Sequence, residues 1–190
     1  KCNSLEKINF DAPFHIKKID YTLFGDCSSL KEITIPSSVR EIESYSFERC
    51  TSLTKIIIPS SVTTIKSYVF DCCSSLLEIN IPSSVTKIGE YVFRKCSSLQ
   101  NVSISSSLKE IGYSEFIECS SLKKITIPSS ITRIGSYCFV CCSSLEEIIF
   151  EKPSSVTLIG SYCFDECTSL KEISIPSSVT VIEEGAFNSC

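Results

Sequence analysis

A single histidine, His15, stands in the 190 residues of this chain. One imidazole excludes a multi-histidine metal centre and any acid–base unit recurring along the sequence. No stretch strings together the ~20 apolar residues that a membrane-spanning helix requires. Glycine-rich phosphate loops and lipidation motifs are missing too. Lysine and arginine number 18 against 22 acids, a formal net charge of -4. That mild acidity argues against nonspecific nucleic-acid binding, which needs clustered cations. No segment holds a helical period over the ~10–12 residues that define a confident α-helix. The chain starts on Lys1 inside a repeat and stops on Cys190 at the start of another. It therefore reads as a piece of a longer protein, and the lack of a leader says nothing of the parent.

What is abundant is cysteine, and it is periodic. Nine of 13 fall at Cys2, Cys27, Cys50, Cys73, Cys96, Cys119, Cys142, Cys167 and Cys190, with six intervals of 23 residues and two of 25. The consensus is C-S-S-L-x-x-I-x-I-P-S-S-V-T-x-I-G-x-Y-x-F-x-x, and a fixed period of this length marks a repeat architecture. Both long repeats carry their extra residues after the strand, in FDAPF at 10–14 and FEKPS at 150–154. In each, a phenylalanine (Phe10, Phe150) replaces the usual second isoleucine.

Within a repeat, pairs such as Ile33 and Ile35 keep the period of 2 of a short strand. Pro36 then removes a backbone donor and ends it. Ser37 and Ser38 supply hydroxyls that can serve the turn. The second half, VTKIGEYVF at 85–93, predicts a tight 3₁₀-like or irregular turn rather than a second strand. Burying one apolar side chain is worth about 1.5–3 kcal/mol, against about 1–2 kcal/mol for ordering each residue's backbone. A lone repeat therefore cannot close a core, and stacking is obligatory. The stacked columns are Leu5, Leu30, Leu53, Leu76, Leu99, Leu122, Leu145 and Leu170, then Ile8 through Ile173, then Phe24 through Phe187. The phenylalanine side needs more room than the strand side, so a parallel β-sheet is expected on a concave face. The expected product is a solenoid of eight repeats forming one domain over 1–190, with 3₁₀ or irregular turns on the convex face. Nothing seals the apolar rows at either end, which leaves end-to-end self-association open.

The strand wording Leu30-Lys31-Glu32-Ile33-Thr34-Ile35 resembles the leucine-rich repeat, and IPSSVTKIGEYVFRKCSSL at 81–99 resembles its BspA-like class. The resemblance runs through essentially all of the chain. It implies a leucine-rich repeat solenoid and an association with cell surfaces, adhesion and protein binding, with a secreted or surface location expected and a cytoplasmic one left open. That class often places alanine before the phenylalanine, which occurs here only at Ala186. Elsewhere the slot holds Leu23, Ser46, Val69, Val92, Glu115, Cys138 and Cys163.

The column cysteines read as reduced packing thiols, with disulfides as the alternative. Cys138 and Cys163 share the small inward slot, as substitutes for alanine or as a disulfide. The set Cys138, Cys141, Cys142, Cys163 and Cys167 contains C-x2-C, a zinc spacing, although separate inward columns converge poorly on one ion. Cys72 and Cys141 precede column cysteines, point outward, and are the expected oxidation sites.

Candidate partner-binding residues are those between the inward isoleucines: Thr34, Ile57, Asn80, Ser103, Thr126, Ile149 and Ser174, with Asn9 ahead of them. The preceding row alternates charge at Lys7, Glu32, Lys55 and Glu78 and again at Lys124 and Glu147, which favours strand register and offers no one-sign field. Ile57 and Ile149 are apolar in a polar row, through β-propensity or contact. The Cys96 repeat is the least regular, with Ser105 for proline, its tyrosine shifted to Tyr113, and Glu115 in the small slot. Asn101-Val102-Ser103 matches a glycosylation acceptor. No nucleophile–base pair, cofactor site or metal site is predicted, and the acids are expected on outward positions without a pocket to tune them. The functional expectation is a non-enzymatic protein-binding or adhesion scaffold using the concave face, without nucleic acid or direct membrane insertion. A structural spacer without a specific ligand is the alternative.

Overall fold

The computed structural model describes residues 2–10 and 15–190. The remainder of the first widened loop, 11–14, lies outside them. Seven turns of the chain each contribute a short strand, ended by proline or its substitute, to a first parallel sheet, whereas residues 171–176 of the last repeat form none. These strands are β1 (Lys7–Ile8), β3 (Glu32–Thr34), β5 (Lys55–Ile57), β7 (Glu78–Asn80), β9 (Asn101–Ser103), β11 (Lys124–Ile127) and β13 (Glu147–Phe150). The proline carbonyl then accepts the N–H three residues on, as in Val62 to Pro59 at 3.0 Å and Val85 to Pro82 at 2.9 Å. That closes a β-turn. The hydroxyls expected to help do not: Ser38, Ser61 and Ser84 are buried there without a hydrogen-bond partner.

The stretch expected to be irregular turn holds a second parallel ladder of two-residue strands before the turn begins. It consists of β2 (Lys18–Ile19), β4 (Glu41–Ile42), β6 (Thr64–Ile65), β8 (Lys87–Ile88), β10 (Glu110–Ile111), β12 (Arg133–Ile134), β14 (Leu158–Ile159) and β15 (Val181–Ile182). Threonine hydroxyls run beside it, Thr132 donating to the Lys109 carbonyl at 2.9 Å and Thr157 to the Thr132 carbonyl at 3.1 Å. No helix forms among the described residues.

The convex side is built from irregular, hydrogen-bonded turns with alternating donors. Ser46, Glu48 and Cys50 donate to carbonyls three residues back, whereas Tyr45, Phe47 and Arg49 donate to Ser67, Val69 and Asp71 of the next repeat. The alternation requires left-handed backbone at two residues per turn, such as Tyr45 (φ 60) and Arg49 (φ 57), then Tyr68 (φ 59) and Cys72 (φ 59). Non-glycine residues adopt that conformation only where surrounding bonds impose it.

The expected columns sit in one core. Leu30, Leu53, Leu76, Leu99, Leu122 and Leu145 are fully enclosed, and so are the phenylalanines from Phe47 to Phe164. Successive rings stack at 5.2–5.7 Å. Outside them a second aromatic file runs from Tyr21 to Tyr162. Its rings stack where tyrosine takes the left-handed position, as at Tyr45–Tyr68 (4.7 Å, 5°) and Tyr68–Tyr91 (4.7 Å, 8°). Tyr21 and Tyr113 come one residue early, and their rings meet their neighbours edge-on, at 65° for Tyr21–Tyr45 and 68° for Tyr91–Tyr113.

The column cysteines are free thiols with a defined partner. Cys73 Sγ donates to the Phe47 carbonyl at 3.1 Å, and Cys96, Cys119 and Cys142 donate to Phe70, Phe93 and Phe116, each at 3.2 Å. Each of those carbonyls also accepts a cysteine N–H from its own repeat, so the thiol fills its second lone pair. Cysteine here is a small apolar plug with one donor, used to tie a repeat to its predecessor. Phe93→Ala is expected to lower the unfolding free energy by about 3–5 kcal/mol. Cys96→Ala should cost less than half as much, because the Phe70 carbonyl keeps the Cys73 N–H. Equilibrium denaturation in urea measures both.

Candidate functional site

Alternation along each first-sheet strand fixes what faces outward. With Ile33, Ile56, Ile79 and Ile125 buried, the residues on either side point away from the core. The register places Thr34 beside Ile57, Asn80 beside Ser103, and Thr126 beside Ile149. Charges in the preceding row pair across strands: Lys7 with Glu32, Lys55 with Glu78 at 2.7 Å, and Lys124 with Glu147 at 2.8 Å. All six side chains are more than half exposed. Such pairs contribute little stability and cancel the field over the sheet.

Two open depressions lie on this face. The first, of about 900 Å³, contains Ile57, Asn80, Ser103 and Thr126, together with Gln100, Asn101 and Lys123. The second, of about 1120 Å³, contains Ile149 and Ser174 with Phe150, Lys152, Pro153 and Pro176. Thr34 shares the face but lies outside both. The two isoleucines differ in setting. Ile57 is 60% exposed, whereas Ile149 is half-buried within the depression that the widened loop helps to wall. Glu151 of that loop reaches back to accept the Ser129 N–H at 3.0 Å.

Sequence reasoning missed Gln100 and Lys123, which directly follow the leucine column and sit one residue ahead of the charged outward row. It also missed Lys152 and Pro153, whose signal was the insertion immediately after β13. Asn101, the glycosylation candidate, lies exposed within β9.

The remaining chemistry-bearing side chains are dispersed. Cys138 and Cys163 are enclosed free thiols in one column, Cys142 and Cys167 lie in another, and Cys141 sits at the rim. No group of three or more histidine, cysteine or acidic side chains suited to a metal gathers among the described residues. His15 is exposed. Two acids depart from the expected outward placement. Asp71, 1% exposed, receives Arg94 Nε at 2.8 Å and Nη2 at 2.6 Å, and the guanidinium lies 5.7–5.8 Å from the Tyr68 and Tyr91 ring centres. Glu115 is buried in the Cys96 repeat. Neither acid lines either depression.

Cys72 and Cys141 are half-buried, but their surroundings oppose the reactivity expected of them. Cys72 Sγ lies 3.5 Å from Asp71 Oδ1, and Cys141 Sγ lies 3.3 Å from Glu166 Oε2. Partial burial first, and then these carboxylates, hold the Cys72 thiol above its ordinary value and push Cys141 up to about 11. The thiolate is the nucleophile, so both react slowly at neutral pH. In the folded protein, iodoacetamide labelling of Cys141 is expected to climb about tenfold per pH unit and to level off only near about 11, while column thiols such as Cys96 and Cys119 label only after unfolding. Peptide mass spectrometry across a pH series checks this order.

A helix-free stack of parallel strands, with an open polar sheet face on one side and turns on the other, is the architecture of a leucine-rich repeat scaffold. The chain belongs to the BspA-type leucine-rich repeat family: it matches "BspA type Leucine rich repeat region (6 copies)" over residues 1–97 and 63–190. Among solved structures it is similar to a leucine-rich repeat protein from Eubacterium ventriosum, with 33% identity and a TM-score of 0.79 over 85% of this chain and 44% of that one. It is also similar to the T. pallidum leucine-rich repeat protein, with 30% identity and a TM-score of 0.77 over 85% of this chain and 75% of that one. A leucine-rich cell surface protein from Faecalibacterium prausnitzii is 26% identical, with a TM-score of 0.58 over 90% of this chain and 59% of that one. The chain thus spans less than half of the Eubacterium protein. No curated protein matches it in sequence.

Proposed function

We propose that this array is a non-enzymatic protein-binding or adhesion scaffold at the cell surface, and that the outward face of the first sheet is its contact surface. The observation that carries the reading is the first depression. It runs across strands from separate repeats, its lining mixes amides and hydroxyls with Lys55, Glu78, Lys123 and Lys124, and Ile57 stands 60% exposed at one side of it. A large apolar side chain surrounded by amides and hydroxyls suits a protein partner, because burying it would supply about 1.5–3 kcal/mol while the polar surround supplies directional bonds. The chain's net charge of -4 disfavours nucleic acid, and no helix among the described residues is long and apolar enough to cross a membrane. The description of the Faecalibacterium relative as a cell surface protein supports the location.

Ile57→Glu combined with Ile149→Glu is expected to reduce capture of proteins from a cell-surface extract at least tenfold, with the circular dichroism spectrum unchanged. Capture equal to that of the parent chain would remove this face from consideration. Absence of any saturable partner for the parent chain would leave a spacer array.

A further inference from the structure

Along most of the second ladder, the N–H just past the isoleucine donates to the isoleucine carbonyl one repeat back. Lys66 donates to Ile42 at 2.9 Å, Gly89 to Ile65 at 2.8 Å, Gly135 to Ile111 at 2.8 Å and Gly160 to Ile134 at 2.9 Å. In the Cys96 repeat the equivalent donor is Gly112, and it turns instead to Glu115 Oε2 at 3.0 Å. A Cβ at residue 112 would lie 2.9 Å from that oxygen, so the carboxyl packs directly against the glycine. β8 and β10 are unpaired, and the second sheet divides there. One repeat further on, β9 and β11 are unpaired too, and the first sheet divides. Both breaks flank the same repeat.

Glu115 occupies the column that holds Val92 on one side and Cys138 on the other, and it is 1% exposed. Its Oε1 has no hydrogen-bond partner. The carboxyl borders a narrow void walled by Ile81, Ile88, Ile104, Leu108, Ile111 and Phe116. Packing is looser at this point: Ile88 and Ile104 are half-buried, whereas their counterparts Ile65 and Ile81 are 1% and 3% exposed. The turn side, by contrast, stays continuous, with Tyr91, Phe93 and Lys95 donating to Tyr113, Glu115 and Ile117 at 3.3, 3.0 and 2.8 Å.

We propose that the Cys96 repeat is a proton-operated joint, in which the protonated Glu115 carboxyl keeps residues 108–112 docked and loss of that proton releases them, with the turn side serving as the hinge. A neutral carboxyl with one N–H partner is tolerated in an apolar void; a carboxylate there leaves Oε1 charged and unanswered. The titratable groups facing it are Glu90, Glu110, Cys119 and Cys138, none of them cationic. Burial pushes the Glu115 carboxyl up to about 8 from an ordinary 4.5, the Gly112 N–H opposes this, and Glu110 and Glu90 add to it. The sign follows from proton uptake. The docked form holds a proton that the released form gives up, so docking is at full strength below about 4.5 and weakens as pH climbs to about 8. Over that window the opening equilibrium moves on the order of a thousandfold. The inference is independent of which surface binds a partner.

The test is hydrogen exchange by mass spectrometry from pH 5 to 9, corrected for intrinsic rates, on the parent chain and the E115Q and E115V variants. In the parent, protection of peptides covering 108–112 is expected to fall by roughly a hundredfold or more, while peptides of the Cys50 repeat hold within about threefold. E115Q, neutral at every pH, and E115V, which restores the apolar column, should both lose the dependence. A flat parent profile, an equal fall in every repeat, or an undiminished pH dependence in either variant overturns the joint. If neither variant folds, the parent profile alone decides between a local and a uniform response.

Discussion

Strands of two to four residues cannot satisfy their own backbone, and neither can the turns that join them. Each turn of this chain depends on a neighbour in identical register for its hydrogen bonds, on the first sheet, on the second ladder and along the convex side. That mutual requirement explains why positions, and not merely compositions, repeat. A residue that fits one site must meet the same residue type from the adjacent turn, as Phe70 meets Phe47 and Phe93 at 5.6 and 5.7 Å.

The same dependence makes a local exception consequential. Ser105 fills the vacancy left by proline with its own bonds, its hydroxyl donating to the Val85 carbonyl at 2.8 Å and accepting the Ser107 N–H at 3.2 Å. Tyr113 regains its place in the tyrosine file from one position early. Glu115 has no such compensation, and the ladder opens beside it. Asp71 shows the contrasting outcome: an equally buried acid that is fully answered by Arg94 of the next repeat.

The stacking was legible because it rests on volume and period. The leucine and phenylalanine columns, the strand ended by Pro36 and the outward row from Thr34 to Ser174 all follow from spacing. The second ladder was not legible, since a two-residue strand such as Lys87–Ile88 is too short to show alternation. Nor did spacing reveal why the repeated residue is cysteine and not alanine; that needed the position of the phenylalanine carbonyl one repeat back. The low reactivity of Cys72 and Cys141 was hidden for a similar reason, because Asp71 and Glu166 approach them only in the folded chain. Of the candidate site, the sequence supplied the row but not its division into two depressions, the first of which spans β5 to β11 and the second of which is walled by the loop at 150–154.

On the convex side every backbone bond between repeats points the same way. Tyr45, Phe47 and Arg49 donate forward, and so do Tyr91, Phe93 and Lys95, then Tyr162, Phe164 and Glu166. Peptide groups aligned in file add their dipoles, as they do in an α-helix. The turn side is therefore electrically polarised along the axis of the array, positive toward later repeats and negative toward earlier ones. Each added repeat extends that polarity by three aligned amides, while amides beside the second ladder, such as Thr63 and Lys66, donate to the preceding repeat, so the two sides of the array carry opposed polarity along one axis.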